Sequence, residues 1–203
     1  MREHKPIANQ PKKTPGRGSG EDTPLVTLCV IACDEEVLLP RCLASVCEGK
    51  NAGTVDEIVV VDTGSSDQTI AVAQRFGARV VSHVWSDDFA KARNAALQNA
   101  SGQYVFILDA DECLIAGAGA ALRRCAEEGQ ADLGLLCLHH ASTLDCELEE
   151  VVEGNHRQGE PLLVPRLFRR SSDLRWEGVV YETIDGWLES AVRTVAALDV
   201  DVV

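Results

Sequence analysis

The stretch Tyr104-Val105-Phe106-Ile107-Leu108 runs straight into Asp109-Ala110-Asp111-Glu112. Five residues suited to a buried strand end on two carboxylates with one residue between them. Residues i and i+2 of a strand share a face, so Asp109 and Asp111 converge on one point as the strand ends. Two anionic oxygens there suit a hard divalent cation that also holds phosphate oxygens. An apolar strand followed by an acidic turn would look the same. What shifts the reading toward a site is a second strand with a similar ending, Ile58-Val59-Val60-Val61-Asp62, followed by Thr63-Gly64-Ser65-Ser66-Asp67.

The rest of the chain supplies the frame for these two strands. Leu25–Ala32 is a continuous apolar run and reads as a buried strand. Asp34-Glu35-Glu36 follow it, then a helix through Leu38, Leu39, Leu43 and Val46, with Pro40 placed for a first turn. Gly64–Asp67 reads as a turn and cap. Thr69–Phe76 reads as a helix ended by Gly77, Arg79–Val81 as a short strand, and Asp88–Ala100 as a helix. Such alternation implies βαβ units and a mostly parallel sheet flanked by helices, an α/β fold. Ligands of such sheets bind beyond the carboxyl ends of the strands. Asp34, Asp62 and the Asp109/Asp111 pair all fall at those ends.

After Glu112 the pattern loosens. Ala116–Cys125 reads as helix, and Leu133–His139, Leu162–Phe168 and Ala196–Val203 as strands. Trp176–Ile184 reads as strand or loop. Asp145–Glu153 and Gly154–Gly159 read as an exposed loop. Residues 1–24 hold four prolines and three glycines and are expected to be a disordered tail. The domain is expected to span 25–203.

Charge excludes one class of partner. The net charge is −13, and the first 24 residues carry five Lys/Arg against three Asp/Glu, so the remainder is more acidic still. Lys50 and Lys91 are the only lysines beyond that tail. Such a body repels a nucleic-acid backbone. An anionic substrate would need a metal or local arginines, and Arg166, Arg169, Arg170 and Arg175 are candidates to bind a diphosphate. There is no apolar run of the ~20 residues a spanning helix needs and no signal-peptide pattern. That leaves at most contact with a membrane surface and points to a cytoplasmic protein.

The eight cysteines form no CxxC pair and are expected to be reduced thiols. Cys137 with His139-His140 is the nearest approach to a zinc cluster, with too few ligands to read as a site. Gly117-Ala118-Gly119-Ala120 lacks the third glycine of a dinucleotide fingerprint, because Leu122 stands there. There is no Walker A loop and no nucleophile elbow. Arg93 sits in the helix before the Asp109 strand, placed for a phosphate or for a loop carboxylate. Trp176-Glu177-Gly178 and Tyr181-Glu182 offer aromatic faces and carboxylates.

Taken together, Thr27–Leu43, Asp56–Asp67, Ala78–Asn94, Gly102–Glu112 and Arg166–Glu182 resemble family 2 glycosyltransferases of the GT-A fold. The motifs that carry the likeness are Asp62-Thr63-Gly64-Ser65, Trp85-Ser86-Asp87-Asp88-Phe89, Ala92-Arg93-Asn94, Leu108-Asp109-Ala110-Asp111-Glu112, and Arg166-Leu167-Phe168-Arg169 with Trp176 and Glu182. They occur in order over most of residues 25–182.

The resemblance implies transfer of a sugar from a nucleoside-diphosphate sugar, a UDP-sugar first, to a hydroxyl acceptor with inversion. The acceptor would be a saccharide, a lipid-linked saccharide or a protein. It implies that Asp62 lies near the base or ribose, that Asp34 and Glu35 border the same pocket, and that Arg93 supports the pocket or the diphosphate. Asp109 and Asp111 match the family's DxD pair, with Asp111 the first candidate ligand of Mn²⁺ or Mg²⁺ and Asp109 the second. Glu182 is the first candidate for catalytic base and Glu177 the second.

Two positions depart from the family's pattern. Tyr181-Glu182 stands where His-Glu is common, and Cys33-Asp34-Glu35-Glu36 stands where Lys-Asn-Glu-Glu is common. Members also commonly continue past a segment like Ala196–Val203 with a further histidine-containing stretch. The alternative reading is therefore a non-catalytic or truncated relative that only binds nucleotide or a partner. A nucleotidyltransferase would carry a basic glycine-rich loop after the first strand, the opposite of Cys33–Glu36. A plain interaction module would bind no metal-dependent ligand.

Overall fold

The computed structural model describes residues 23–129 and 131–203; most of the expected tail, 1–22, lies outside the described residues. Among the described residues seven strands form one sheet. In chain order they are β1 (Val26–Ala32), β2 (Glu57–Asp62), β3 (Arg79–Ser82), β4 (Tyr104–Ile107), β5 (Leu133–Ala141), β6 (Arg157–Arg169) and β7 (Val195–Val202). Among the described residues six α-helices connect them: α1 (Leu39–Cys47), α2 (Thr69–Arg75), α3 (Phe89–Asn99), α4 (Gly119–Glu128), α5 (Leu148–Glu153) and α6 (Asp185–Ser190).

The spatial order is β3-β2-β1-β4-β6-β5-β7. The pairs β2–β3, β1–β2, β1–β4 and β5–β7 are parallel, while β6 runs antiparallel to both β4 and β5. The α/β, mostly parallel sheet expected from the alternating pattern is therefore present. β1 and β4 lie at its centre and are buried on both faces, which is why they read as unbroken apolar runs.

Each face of the sheet carries its own apolar layer. On one, Leu39, Leu43 and Val46 of α1, Val72 of α2 and Leu122 of α4 pack on Leu28, Val60, Phe106 and Leu136. On the other, Ala90, Ala96 and Leu97 of α3, with Trp176 and Trp187, pack on Cys29, Val59, Val105 and Phe168. Chain order reverses between β1, whose next strand lies on one side, and β4 on the other. That reversal opens a crevice at their carboxyl ends.

The loop expected over residues 145–159 is corrected. Leu148–Glu153 is a helix, anchored by the buried Val151, with Gly154 left-handed at its end (φ 103°). Arg157–Gly159 already belong to β6. Three glutamates in the six residues of α5 gave the stretch a loop's composition, and one buried apolar residue is too little for a visible period. Gly119, one of the two glycines of the incomplete fingerprint, has a packing role. A Cβ there would lie 1.9 Å from Thr54 Oγ1, and the N–H groups of Gly117 and Gly119 both donate to Asn51 Oδ1 at 2.9 Å.

Candidate functional site

A cavity of about 770 Å³ lies at the carboxyl ends of β1 and β4. Its polar wall is made by Glu35, Thr63, Arg93, Asp109, Asp111 and Glu182, and its apolar wall includes Trp85, Phe89, Val180 and Tyr181.

Three local devices build the polar wall. The first is the turn after β4. Asp109 N–H donates to Glu112 Oε2 (3.1 Å) and Glu112 N–H donates to Asp109 O (3.0 Å), so Glu112 closes a turn around the two aspartates. The second is α3, whose start is capped by Asp88 accepting from Lys91 N (3.0 Å) and which delivers the buried Arg93. The third is the loop after β6. Asn94 grips Trp176 through both backbone groups, at 2.9 Å each, and Glu177 and Thr183 exchange two backbone hydrogen bonds of 2.8 Å. Phe89 N–H donates to Val179 O at 3.0 Å. Residues 178–182 are thereby held against the start of α3, with Tyr181 left-handed at φ 58°.

The charges form one network. Arg93 donates to Asp109 Oδ1 at 2.8 Å and pairs with Glu182. Arg166 reaches Asp109 Oδ2 at 3.3 Å and pairs with Glu112. Burial alone would raise the Asp109 carboxyl, but Arg93 and Arg166 outweigh it and hold it below the usual carboxylate range. Burial of Glu112 prevails over Arg166, and with Asp109 beside it that carboxyl is pushed up. Glu35 is also pushed up, first by burial and then by Asp111, Asp67 and Asp34.

Asp111 differs from its neighbour. Among the described residues it makes no ion pair and no side-chain hydrogen bond, and it faces the cavity beside Glu35. A pair of acidic groups without a counter-cation, next to arginines already committed elsewhere, is a donor set suited to a hard divalent ion.

The other sequence candidates divide. Arg93, Asp109, Asp111, Glu182 and Glu35 meet at the cavity. Asp62 lies just behind it, buried, with its carboxylate accepting from Gly64 N (3.2 Å) and Ser65 N (3.3 Å). Asp34 accepts from Ser66 N at 2.7 Å and does not line the cavity. Glu177 is taken by Arg175 and also lies outside.

The four arginines are not gathered either. Arg166 alone joins the site, while Arg169 turns to Asp132 and Arg170 to the carbonyls of Gly102 and Ser101. Glu112 was not singled out from the sequence, although it follows Asp111 directly. Its signal would have been the turn it closes, a contact that side-chain type alone does not reveal.

A family model described as Glycosyl transferase family 2 matches residues 27–133, more than half of the chain. A TPR repeat-containing protein of Synechococcus elongatus is 39% identical over 160 residues, 79% of this chain and 35% of that protein. The glycosyltransferase SunS of Bacillus phage SPbeta is 30% identical over 92 residues, 44% of this chain and 21% of that one. The chain thus spans about a third or less of these curated relatives. The structure of S. aureus TarS 1-349 in complex with UDP-GlcNAc superposes with a TM-score of 0.63 at 17% identity, covering 87% of this chain and 58% of that one. A structure of S. aureus TarS 1-349 gives 0.61 at 18% identity, covering 87% of this chain and 60% of that one. These two likenesses concern the fold, which is of the GT-A type.

Proposed function

We propose, from the premise that this chain belongs to the family 2 glycosyltransferases, that it transfers a sugar from a nucleoside-diphosphate sugar to a hydroxyl group. In our reading the donor is a UDP-sugar and the acceptor a saccharide, a lipid-linked saccharide or a protein. The observation that carries the reading is a single cavity that receives Glu182 from the loop after β6 and Asp109 and Asp111 from the end of β4.

Glu182 is the general base in this reading. It takes the proton of the acceptor hydroxyl, whose oxygen then attacks the anomeric carbon from the side opposite the diphosphate and inverts it. Arg93 fixes the carboxylate in direction. Glu177 is the weaker candidate because it lies outside the cavity. Asp111, with Glu35 beside it, would hold Mn²⁺ or Mg²⁺. Such an ion supplies Lewis-acid neutralisation of the leaving diphosphate. Asp109, bound by two arginines, positions Arg93 and Arg166. Asp62 and Asp34 shape the base and ribose end by fixing the turns that carry Thr63 and Glu35. Trp85, Phe89 and Tyr181 give the sugar apolar faces to lie on.

No helix among the described residues is long and apolar enough to cross a membrane. The eight cysteines form no CxxC pair, and in our reading the chain works in a reducing cytoplasm. Tyr181, where the family commonly has histidine, favours a second reading: a relative that binds nucleotide without turning it over.

Calorimetry with UDP, with and without Mn²⁺, on the chain and on Asp111→Ala tests the pocket. Metal-dependent binding lost in the variant supports it, and no binding of UDP, GDP or dTDP overturns it. Release of free sugar from UDP-sugars by the intact chain then separates the enzyme from the silent relative.

A further inference from the structure

Away from that cavity, β5 and β7 bring together three side chains of another chemical kind. The ligand atoms of Cys137, His139 and Asp201 all lie within 4.8 Å of one another. We propose that Cys137, His139 and Asp201 form a second cation site, one that takes a zinc-class ion and clasps β7 to β5.

The placement follows from the strands. Cys137 and His139 are two residues apart on β5, whose pairing with β6 is irregular between Leu138 and His140, and both reach Asp201 there. Asp201 of β7 is the register partner of Cys137. The pairing slips just before it: Leu135 opposes Ala197 and Cys137 opposes Asp201, so β7 carries two extra residues at this point. An edge strand with an irregular ladder is where a cross-link adds most.

The ligand set fits the ion. Tetrahedral zinc with nitrogen, oxygen and sulfur ligands sets those atoms roughly 3.4–3.6 Å apart. His139 Nε2 and Asp201 Oδ1 are already 2.7 Å apart, so modest side-chain rotations bring all three to that spacing. A fourth position would remain for water. Thiolate with imidazole selects zinc, cobalt or copper over magnesium or manganese, so this site differs in kind from the all-oxygen set around Asp111.

A plain hydrogen-bonded cluster, with His139 and Cys137 both bonded to Asp201, is the competing account. The two accounts part at the ion, because only a metal site takes up cobalt through sulfur.

The clasp would also reach the catalytic end of the molecule. Beyond Asp201, Val203 exchanges backbone hydrogen bonds of 2.6 and 2.9 Å with Cys113, two residues after Asp111. A fixed β7 thus steadies the turn that presents Asp109 and Asp111. Binding displaces the Cys137 thiol proton to solvent, and no other bond changes.

Cobalt titration of the reduced, chelator-treated chain tests the site. One Co²⁺ per chain should bind with a thiolate-to-cobalt charge-transfer band and tetrahedral d–d bands, both abolished by an equivalent of Zn²⁺. Cys137→Ser, nearly isosteric, should lose the charge-transfer band while keeping its far-ultraviolet circular dichroism. Asp201→Asn should weaken binding at least tenfold, and Asp111→Ala should leave the spectrum unchanged. Saturating Zn²⁺ should raise Tm of the wild type by about 5 °C or more. Absence of a band in the wild type, or a band that survives Cys137→Ser, overturns the proposal. Should Cys137→Ser fail to fold, unchanged cobalt affinity in Asp201→Asn overturns it instead. None of these results depends on whether UDP binds.

Discussion

Arg93 and Glu182 lie 89 residues apart in the chain and form an ion pair at the floor of the cavity. The same guanidinium holds Asp109 Oδ1 at 2.8 Å. One arginine on α3 therefore joins the loop after β6 to the turn after β4. Two carboxylates depend on it, and burial of the Arg93 side chain leaves little water to replace it.

Removing that guanidinium should cost stability as well as activity. Breaking a buried pair by deleting one partner costs about 3–5 kcal/mol. Asp109 is partly reached by solvent, so Arg93→Ala should sit near the low end, about 3 kcal/mol, or roughly 6–12 °C in Tm for a chain of this size. Arg93→Lys should recover part of the stability but less of the transfer rate, because an ammonium cannot hold both carboxylates in a fork. Urea denaturation and initial rates on both variants check this. Equal stability of Arg93→Ala and wild type would show that the network is slack.

The two aspartates of the β4 turn should respond in opposite ways. Asp111 has no ion partner among the described residues, whereas Asp109 is held by two arginines. Asp111→Asn should leave Tm within about 1 °C and weaken metal-dependent UDP binding more than tenfold. Asp109→Asn should lower Tm by several degrees and weaken binding only in proportion to its disorder of Arg93. Thermal melts beside calorimetry separate the two, and a reversed order would exchange the roles assigned here.

Much of this was legible in the residues, and what was not has physical reasons. β1, β2 and β4 are buried on both faces, so their apolar runs are continuous and end sharply on polar residues. That made both the fold class and the carboxylate-bearing edge readable. Asp62 and Asp34 are expected in the pocket because they lie at strand ends, but the turn after β2 takes the oxygens of both, Asp62 through Gly64 and Asp34 through Ser66. A strand-end carboxylate and a turn-capping carboxylate look alike until the backbone path is known. Glu112 closing the turn and Asp201 meeting His139, 62 residues away, depend on tertiary placement that no local pattern carries.

Acid should weaken the molecule through Glu57 at the start of β2. Burial pushes its carboxyl up, but hydrogen bonds from Thr27, Ser101 and Arg79 outweigh it and hold the pKa at about 2. A folded-state value below the unfolded one gives stability that is present above the unfolded pKa, near 4.3. That stability is lost as pH falls through the range down to about 2. The group is partly solvated, so the contribution is about 1 kcal/mol rather than the full shift. Glu57→Gln should therefore be less stable than wild type by about 1 kcal/mol at pH 6 and nearly equal to it at pH 2. Urea melts at both pH values check the crossover, and a constant difference would mean the carboxylate charge is irrelevant.

Tyr181 provides a test that sets local strain against function. It is a non-glycine residue at φ 58°, in a loop pinned by the Glu177–Thr183 bridge, and its side chain is 94% exposed at the cavity mouth. A left-handed backbone costs such a residue about 1 kcal/mol, and asparagine tolerates it better. An exposed ring offers the fold little packing in return, which leaves its face free for a ligand in the cavity. Tyr181→Asn should match or exceed the wild type in stability by up to about 0.5 kcal/mol. The same change should raise KM for the sugar donor or acceptor several-fold, since the ring's apolar face is gone. A loss of more than about 1 kcal/mol with unchanged KM would instead make Tyr181 a structural residue.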